Sequence, residues 1–220
     1  MLTPDFLQFL YELSQNNNRD WFEKQKKRFE TSVKKPWEAT VEAIIAHIQK
    51  FDPYIRASAK DCVYRIHRDT RFSTDKSPYK THMGAVITSI GRKAMAEPGY
   101  YVHVEFGQLM LGGGAYFLDR EPLHRVRTAI AQSPSAFRQI IENEEFVAKF
   151  KGVQGERNKV LPPEFKAAAQ TEPLLANKQF YFMAELPPDH ALHPDFPQFA
   201  ADYLRAGKAL NDFCRAAVRS

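Results

Sequence analysis

Between residues 83 and 118 the apolar residues of this chain shift from helical spacing to every second position, and no other feature limits its fold as strongly. In the run YYVHVEF at 100–106, Val102, Val104 and Phe106 alternate with Tyr101, His103 and Glu105. Successive side chains of a strand point to opposite faces, so the run predicts a half-buried β-strand with a polar outer face. The runs CVYRIH at 62–67, MGAVITSI at 83–90, QLMLGGGAYFL at 108–118 and FYFMAEL at 180–186 read as further strands. The tight link at Gly107-Gln108 and connections of about eight to ten residues around Gly91 and Glu97-Pro98-Gly99 predict an antiparallel meander. Gly112-Gly113-Gly114 predicts a bulge, a bend or a close approach to the backbone, bending being the reading we adopt.

Helical spacing surrounds this region. Thr3-Pro4 opens a first helix, Asn18 or Asp20 caps a second that runs to about Lys35, and Pro36 starts a third whose stripe is Trp37, Val41, Ile44, Ile45 and Ile48. After the strands, Asp119 and Ser133-Pro134 open two more helices, a short one follows at 163–170, and Asp195 starts a last one ending near Val218. The expectation is an α+β fold, an antiparallel sheet of about five strands with helices before and after it. We expect a single domain over 1–220, with a helical part at 1–52, a strand-rich part with a basic motif at 60–118, and a mainly helical part with one further strand at 119–220.

With 220 residues, 44% of them hydrophobic, the chain can bury a core without metal or disulfide staples. The absence of a spanning-length apolar run and of a basic, apolar leader at Met1-Leu2-Thr3-Pro4-Asp5 leads us to expect a cytoplasmic protein with no membrane partner. Cys62 and Cys214, without neighbouring thiols, read as structural. The net charge is +5, and between Lys60 and Lys93 eight basic residues face three acidic ones, so the rest of the chain is neutral. That stretch is the first place to look for an anion.

Within it, Arg68, Arg71, Lys76 and Lys80 are the candidates to bind a small anionic or phosphate-bearing ligand, with Tyr79 giving the site shape, because Arg forks and Lys point charges suit phosphate and carboxylate. A second candidate is the polar strand face. If Arg65 and His67 share it with His103 and Glu105, a cation, two imidazoles and a carboxylate meet there. Such a group can do general acid and base chemistry, or ligate a metal through the two histidines and Glu105, although the pattern commits to no cofactor. His82, at a strand entrance, is a weaker fourth member. Arg125 and Arg127 open a helix and suit a phosphate, with capping and pairing as the plainer account. A nucleic-acid-binding module is a third reading, and a buried Arg/Asp/Lys/Tyr network that only braces the fold is a fourth.

Asn16-Asn17-Asn18-Arg19-Asp20-Trp21-Phe22, the segment from Tyr64 to Ser73, and Asp75-Lys76-Ser77-Pro78-Tyr79-Lys80-Thr81 together resemble one family, the conserved hypothetical proteins catalogued as domain of unknown function 2461. Gly112-Gly113-Gly114-Ala115-Tyr116 and Leu123-His124-Arg125-Val126-Arg127 follow the same pattern, so the resemblance spans nearly the whole chain in order. It implies a single-domain architecture and carries no assigned activity, cofactor or catalytic residue.

Overall fold

The computed structural model describes residues 1–219. Pro4, at the first turn where its missing N–H costs nothing, begins α1 (Pro4–Gln15), which buries Phe6, Phe9, Leu10 and Leu13. Asn18 caps α2 (Arg19–Arg28) by accepting a hydrogen bond from the Trp21 N–H at 2.9 Å. The chain does not stop at Pro36 as the sequence suggests: a π-helical segment, Phe29–Lys34, joins α2 directly to α3 (Lys35–Gln49). Pro36, which has no N–H to give an ordinary helical bond, stands just after the π-helical segment, at its junction with α3.

The sheet has four strands, β1 (His82–Ile87), β2 (Gly99–Glu105), β3 (Gln108–Ala115) and β4 (Phe180–Leu186), antiparallel throughout and in chain order. The expected fifth strand at 62–67 is absent. Ser58 and Asp61 form a reciprocal capping box that starts α4, the single turn Ala59–Cys62, so the run begins as helix. The following residues make only isolated bridges, Val63 to Ala85 and His67 to Tyr79. The chain then turns through a charged loop at 69–77 and re-enters at Pro78, which has no N–H to extend a ladder.

Between β3 and β4 come α5 (Arg120–Gln132), α6 (Pro134–Ile141) and α7 (Glu144–Phe150); Asn143 caps α7, which divides the helix expected to open at Ser133-Pro134. The expected helix at 163–170 is two separate 3-10 turns, Pro163–Phe165 and Ala168–Gln170. Gly207, seated on the Phe182 ring, separates α8 (Phe196–Arg205) from α9 (Lys208–Arg219), so the last expected helix is also two. No helix among the described residues is long and apolar enough to cross a membrane.

The helices pack on one face of the sheet. Tyr100, Val102, Val104, Leu109, Leu111, Phe180 and Phe182 are at most 1% exposed and join a single hydrophobic cluster that includes Phe6, Trp37 and Leu210. Phe106, expected on this core face, lies past the end of β2 and is exposed, its ring 4.6 Å from that of Tyr11. Inside the cluster, Arg215 of α9 forms a two-pronged ion pair with Asp52, which also accepts a 2.7 Å hydrogen bond from the Tyr100 hydroxyl. Burial alone would raise the Asp52 pKa, but the Arg215 and Tyr100 hydrogen bonds outweigh it and hold the carboxyl below its ordinary value. Asp52 is 1% exposed, so Arg215→Met leaves an uncompensated buried charge and should cost about 3–5 kcal/mol of stability, read as a fall in the urea midpoint. A loss below about 1 kcal/mol would show that the pair does not brace the fold.

Candidate functional site

Because one face of the sheet is taken by helices, the polar residues of each strand gather on the other. The register places His82 opposite Glu105, Gly84 opposite His103 and Val86 opposite Tyr101, and continues from Tyr101 to Gly112 and Met183. Here Gly112-Gly113-Gly114 carries no bulge and no break, pairing residue by residue on both sides. A Cβ at Gly112 would meet the Met183 sulfur at 2.6 Å, one at Gly113 would meet the Phe182 ring at 2.7 Å, and Gly114 has φ +108°. On the floor of the open face Gly112 thus leaves room for Met183 and Gly114 adds no side chain, while Gly113, paired with Tyr100 and Phe182, faces the helices and leaves room for the Phe182 ring.

Above that floor lies a cleft of about 550 Å³. Its aromatic and thioether walls include Tyr64, Tyr101, Tyr116, Phe117, Tyr181 and Met183, and its polar groups include Lys80, His82, Gln154 and Glu185. Lys80 is half-buried, its Nζ donates to the Arg65 carbonyl at 3.1 Å and sits 4.7 Å from the centre of the Tyr64 ring. Among the described residues no carboxylate lies within ion-pairing distance of it. Burial, then the positive charges of Arg65 and Arg92, push the Lys80 pKa down.

At one end of this face the His82 and His103 rings stack at 4.2 Å, nearly parallel. His103 is 8% exposed, its Nδ1 lies 3.0 Å from the Tyr101 hydroxyl, and its Nε2 has no hydrogen-bond partner and stands 3.6 Å from Glu105 Oε2. Burial depresses both imidazoles to about 4; for His82 the neighbouring His103 and Lys80 add to it. Both rings are therefore neutral near pH 7, with nitrogen lone pairs that can accept a proton or bind a metal. Burial, helped by Tyr64 and Glu105, pushes the Tyr101 phenol up to about 12.

The residues expected to meet here divide. His103 and Glu105 are on this face as the alternation requires; Arg65 and His67 are not. Tyr64 takes the inward position of its segment, Arg65 is exposed, and His67 sits against the Phe22 and Tyr79 rings, at 6.4 and 5.3 Å. The partner imidazole is His82 instead, two residues from Lys80 on β1, a relation visible only once the β1–β2 register is known. Of the five residues assigned to an anion, only Lys80 lines the cleft. Arg68 pairs with Asp75, Arg71 with Asp69 at 2.7 Å, and Lys76 donates to the Thr70 carbonyl at 2.9 Å. Tyr79 is 4% exposed and stacked 4.0 Å from Phe22, so its ring belongs to the core and gives no ligand site its shape. Arg125 is engaged by Glu121 and the Val218 carbonyl, and buried Arg127 by the Asn177 carbonyl, away from the cleft.

A family model described as conserved hypothetical protein (DUF2461) matches residues 5–213. The chain belongs to the DUF2461 family. No curated protein and no solved structure matches it. The segments that carry the family resemblance meet in this DUF2461 chain: the Asn17 carboxamide takes both backbone groups of Tyr79, accepting from its N–H at 3.1 Å and donating to its carbonyl at 2.9 Å. With Asn18 capping α2 and Phe22 stacked on Tyr79, these segments anchor the loop at 69–77 to the first helices and set Lys80 and His82 at the start of β1.

The imidazoles make a pH prediction. Their folded values lie below the ordinary 6.5, so between about pH 6.5 and 4 the folded protein holds fewer protons than the unfolded chain and stability falls as pH drops. In chelator-treated protein the loss from pH 6.5 to 5 should reach at most about 1.4 kcal/mol per pH unit for each ring, and shrink in His82→Gln/His103→Gln. Urea midpoints that stay flat over this window in the unaltered protein would show that the rings are not buried as described.

Proposed function

We propose that the chain acts as one unit that binds a small molecule in the cleft on the open face of the sheet, with an anionic group at Lys80 and an apolar or aromatic body between the tyrosine, phenylalanine and methionine walls. The observation that carries this reading is the half-buried Lys80 ammonium, which the protein supplies with a carbonyl and a ring face but no carboxylate. A buried charge without a counter-charge is costly, and an anion delivered by a ligand removes that cost. The concave shape, the mixed aromatic and thioether lining and the few convergent polar groups fit a small-molecule site. In the basic loop at 69–77 Arg68 and Arg71 already pair with Asp75 and Asp69, and the exposed Lys76, donating to the Thr70 carbonyl, carries no burial cost for a ligand to relieve. Buried, unpaired Cys62 and Cys214 fit a reducing compartment and the cytoplasm.

Phenyl phosphate and benzoate are suitable probes, with inorganic phosphate as the anion lacking a body. We expect either aromatic anion to raise Tm more than inorganic phosphate does, and Lys80→Gln to weaken its binding about tenfold or more by calorimetry. Equal affinity in Lys80→Gln, a loss seen instead in Arg71→Ala or Lys76→Ala, or no shift with either aromatic anion at millimolar concentration would contradict the proposal.

A further inference from the structure

We infer that His82, His103 and Glu105 form a binding site for a divalent first-row transition metal, of the kind zinc occupies, at the end of the cleft next to Lys80. The strand geometry brings the three together. His103 and Glu105 are two apart on β2 and so share a face, and antiparallel pairing sets His82 directly opposite Glu105 and diagonal to His103. One ligand atom from each lies within 4.8 Å of the others. Bonds of about 2.0–2.2 Å to a shared ion bring such atoms to about 3.4 Å, and the half-exposed His82 and Glu105 side chains can close that distance by rotation.

Two further observations point to an ion and not merely to a polar patch. The Nε2 of His103 is buried, faces Glu105 beyond hydrogen-bond distance, and has no partner. A buried polar nitrogen left this way is destabilising unless something binds it. On the other side of the same ring, the Tyr101 oxygen lies 3.0 Å from Nδ1. If Nδ1–H donates to that oxygen, the lone pair of the tautomer is on Nε2, aimed at Glu105; oxygen acceptors commonly orient metal-bound histidines in this way. Two imidazoles and one carboxylate suit zinc, iron or cobalt better than calcium or magnesium, which take oxygen ligands. Three protein ligands also leave coordination positions open, as catalytic metal sites do and structural ones do not. The site borders the cleft through His82, so an anion held at Lys80 is placed to reach the ion; that last link alone rests on the small-molecule reading above.

The test uses the full chain, stripped with chelator, and the metals alone. We expect one Zn²⁺ per chain with a Kd in the micromolar range or below, and Co²⁺ to give the visible d–d bands of a four- or five-coordinate ion. His82→Asn should weaken Zn²⁺ at least about a hundredfold, Glu105→Gln at least about tenfold, and Tyr101→Phe, which removes only the group orienting His103, about 10–100-fold. Glu105→Gln changes a half-exposed residue, so a folded variant is available even if a histidine variant melts early. His124→Asn, which alters an exposed histidine paired with Glu164, should leave affinity unchanged. Zn²⁺ binding weaker than millimolar, affinity unaltered in both His82→Asn and Glu105→Gln, or a loss seen only in His124→Asn would overturn the site. Lys80→Gln separates the two readings: it should keep Zn²⁺ affinity within about threefold while phenyl phosphate binding weakens about tenfold or more, and either result can fail without the other.

Discussion

The burial of Tyr100, Val102 and Val104 against the helices obliges Tyr101, His103 and Glu105 to share the opposite face of β2. Side chains alternate along a strand, so no local adjustment moves one set without the other, and a register slip of one residue would put imidazole and carboxylate into the core. Everything at the cleft follows from this arrangement. With the helices on one side, the neighbours of β2 present their alternate residues too, His82 from β1 and Met183 from β4, while the glycines of β3 leave room between them.

Long-range polar contacts hold this one-sided packing in place. Asp52, at the end of the third helix, ties Arg215 of the last helix to Tyr100 of β2, joining three parts of the chain that are far apart in sequence. Asn17 does the same for the start of the sheet, gripping the backbone of Tyr79 where Pro78 prevents an ordinary ladder. The segments around Asn17 and Tyr79 therefore act first as architecture. They set the entry of β1, and the entry of β1 decides that Lys80 and His82 face the cleft.

The parts of this arrangement that follow a single period were legible in the sequence. The stripe of Trp37, Val41, Ile44, Ile45 and Ile48, the alternation around His103, and the strand at 180–186 all appear where their spacing puts them. What was not legible depended on contacts distant along the chain. The run at 62–67 has strand composition, but the Ser58/Asp61 capping box and Pro78 decide otherwise. The concentration of positive charge at 60–93 pointed to an anion site, yet Asp69 and Asp75, within it, pair with Arg71 and Arg68, two of the cations assigned to the anion. His82 counted as marginal because its place opposite Glu105 depends on register, and register depends on a loop of eleven residues between β1 and β2 whose conformation no periodicity reveals. The imidazole beside His103 is that of His82 and not of His67 for the same reason.

Ligand and metal, as proposed, both bind on the open sheet face and not in the basic loop. The most direct test is an amide chemical-shift map of the labelled protein, recorded while Zn²⁺ and then phenyl phosphate are added. Shifts should concentrate in residues 80–86, 101–105, 110–114 and 181–185, with the Zn²⁺ shifts centred on 82 and 103–105. Shifts confined to residues 68–77, with the sheet face silent, would contradict it.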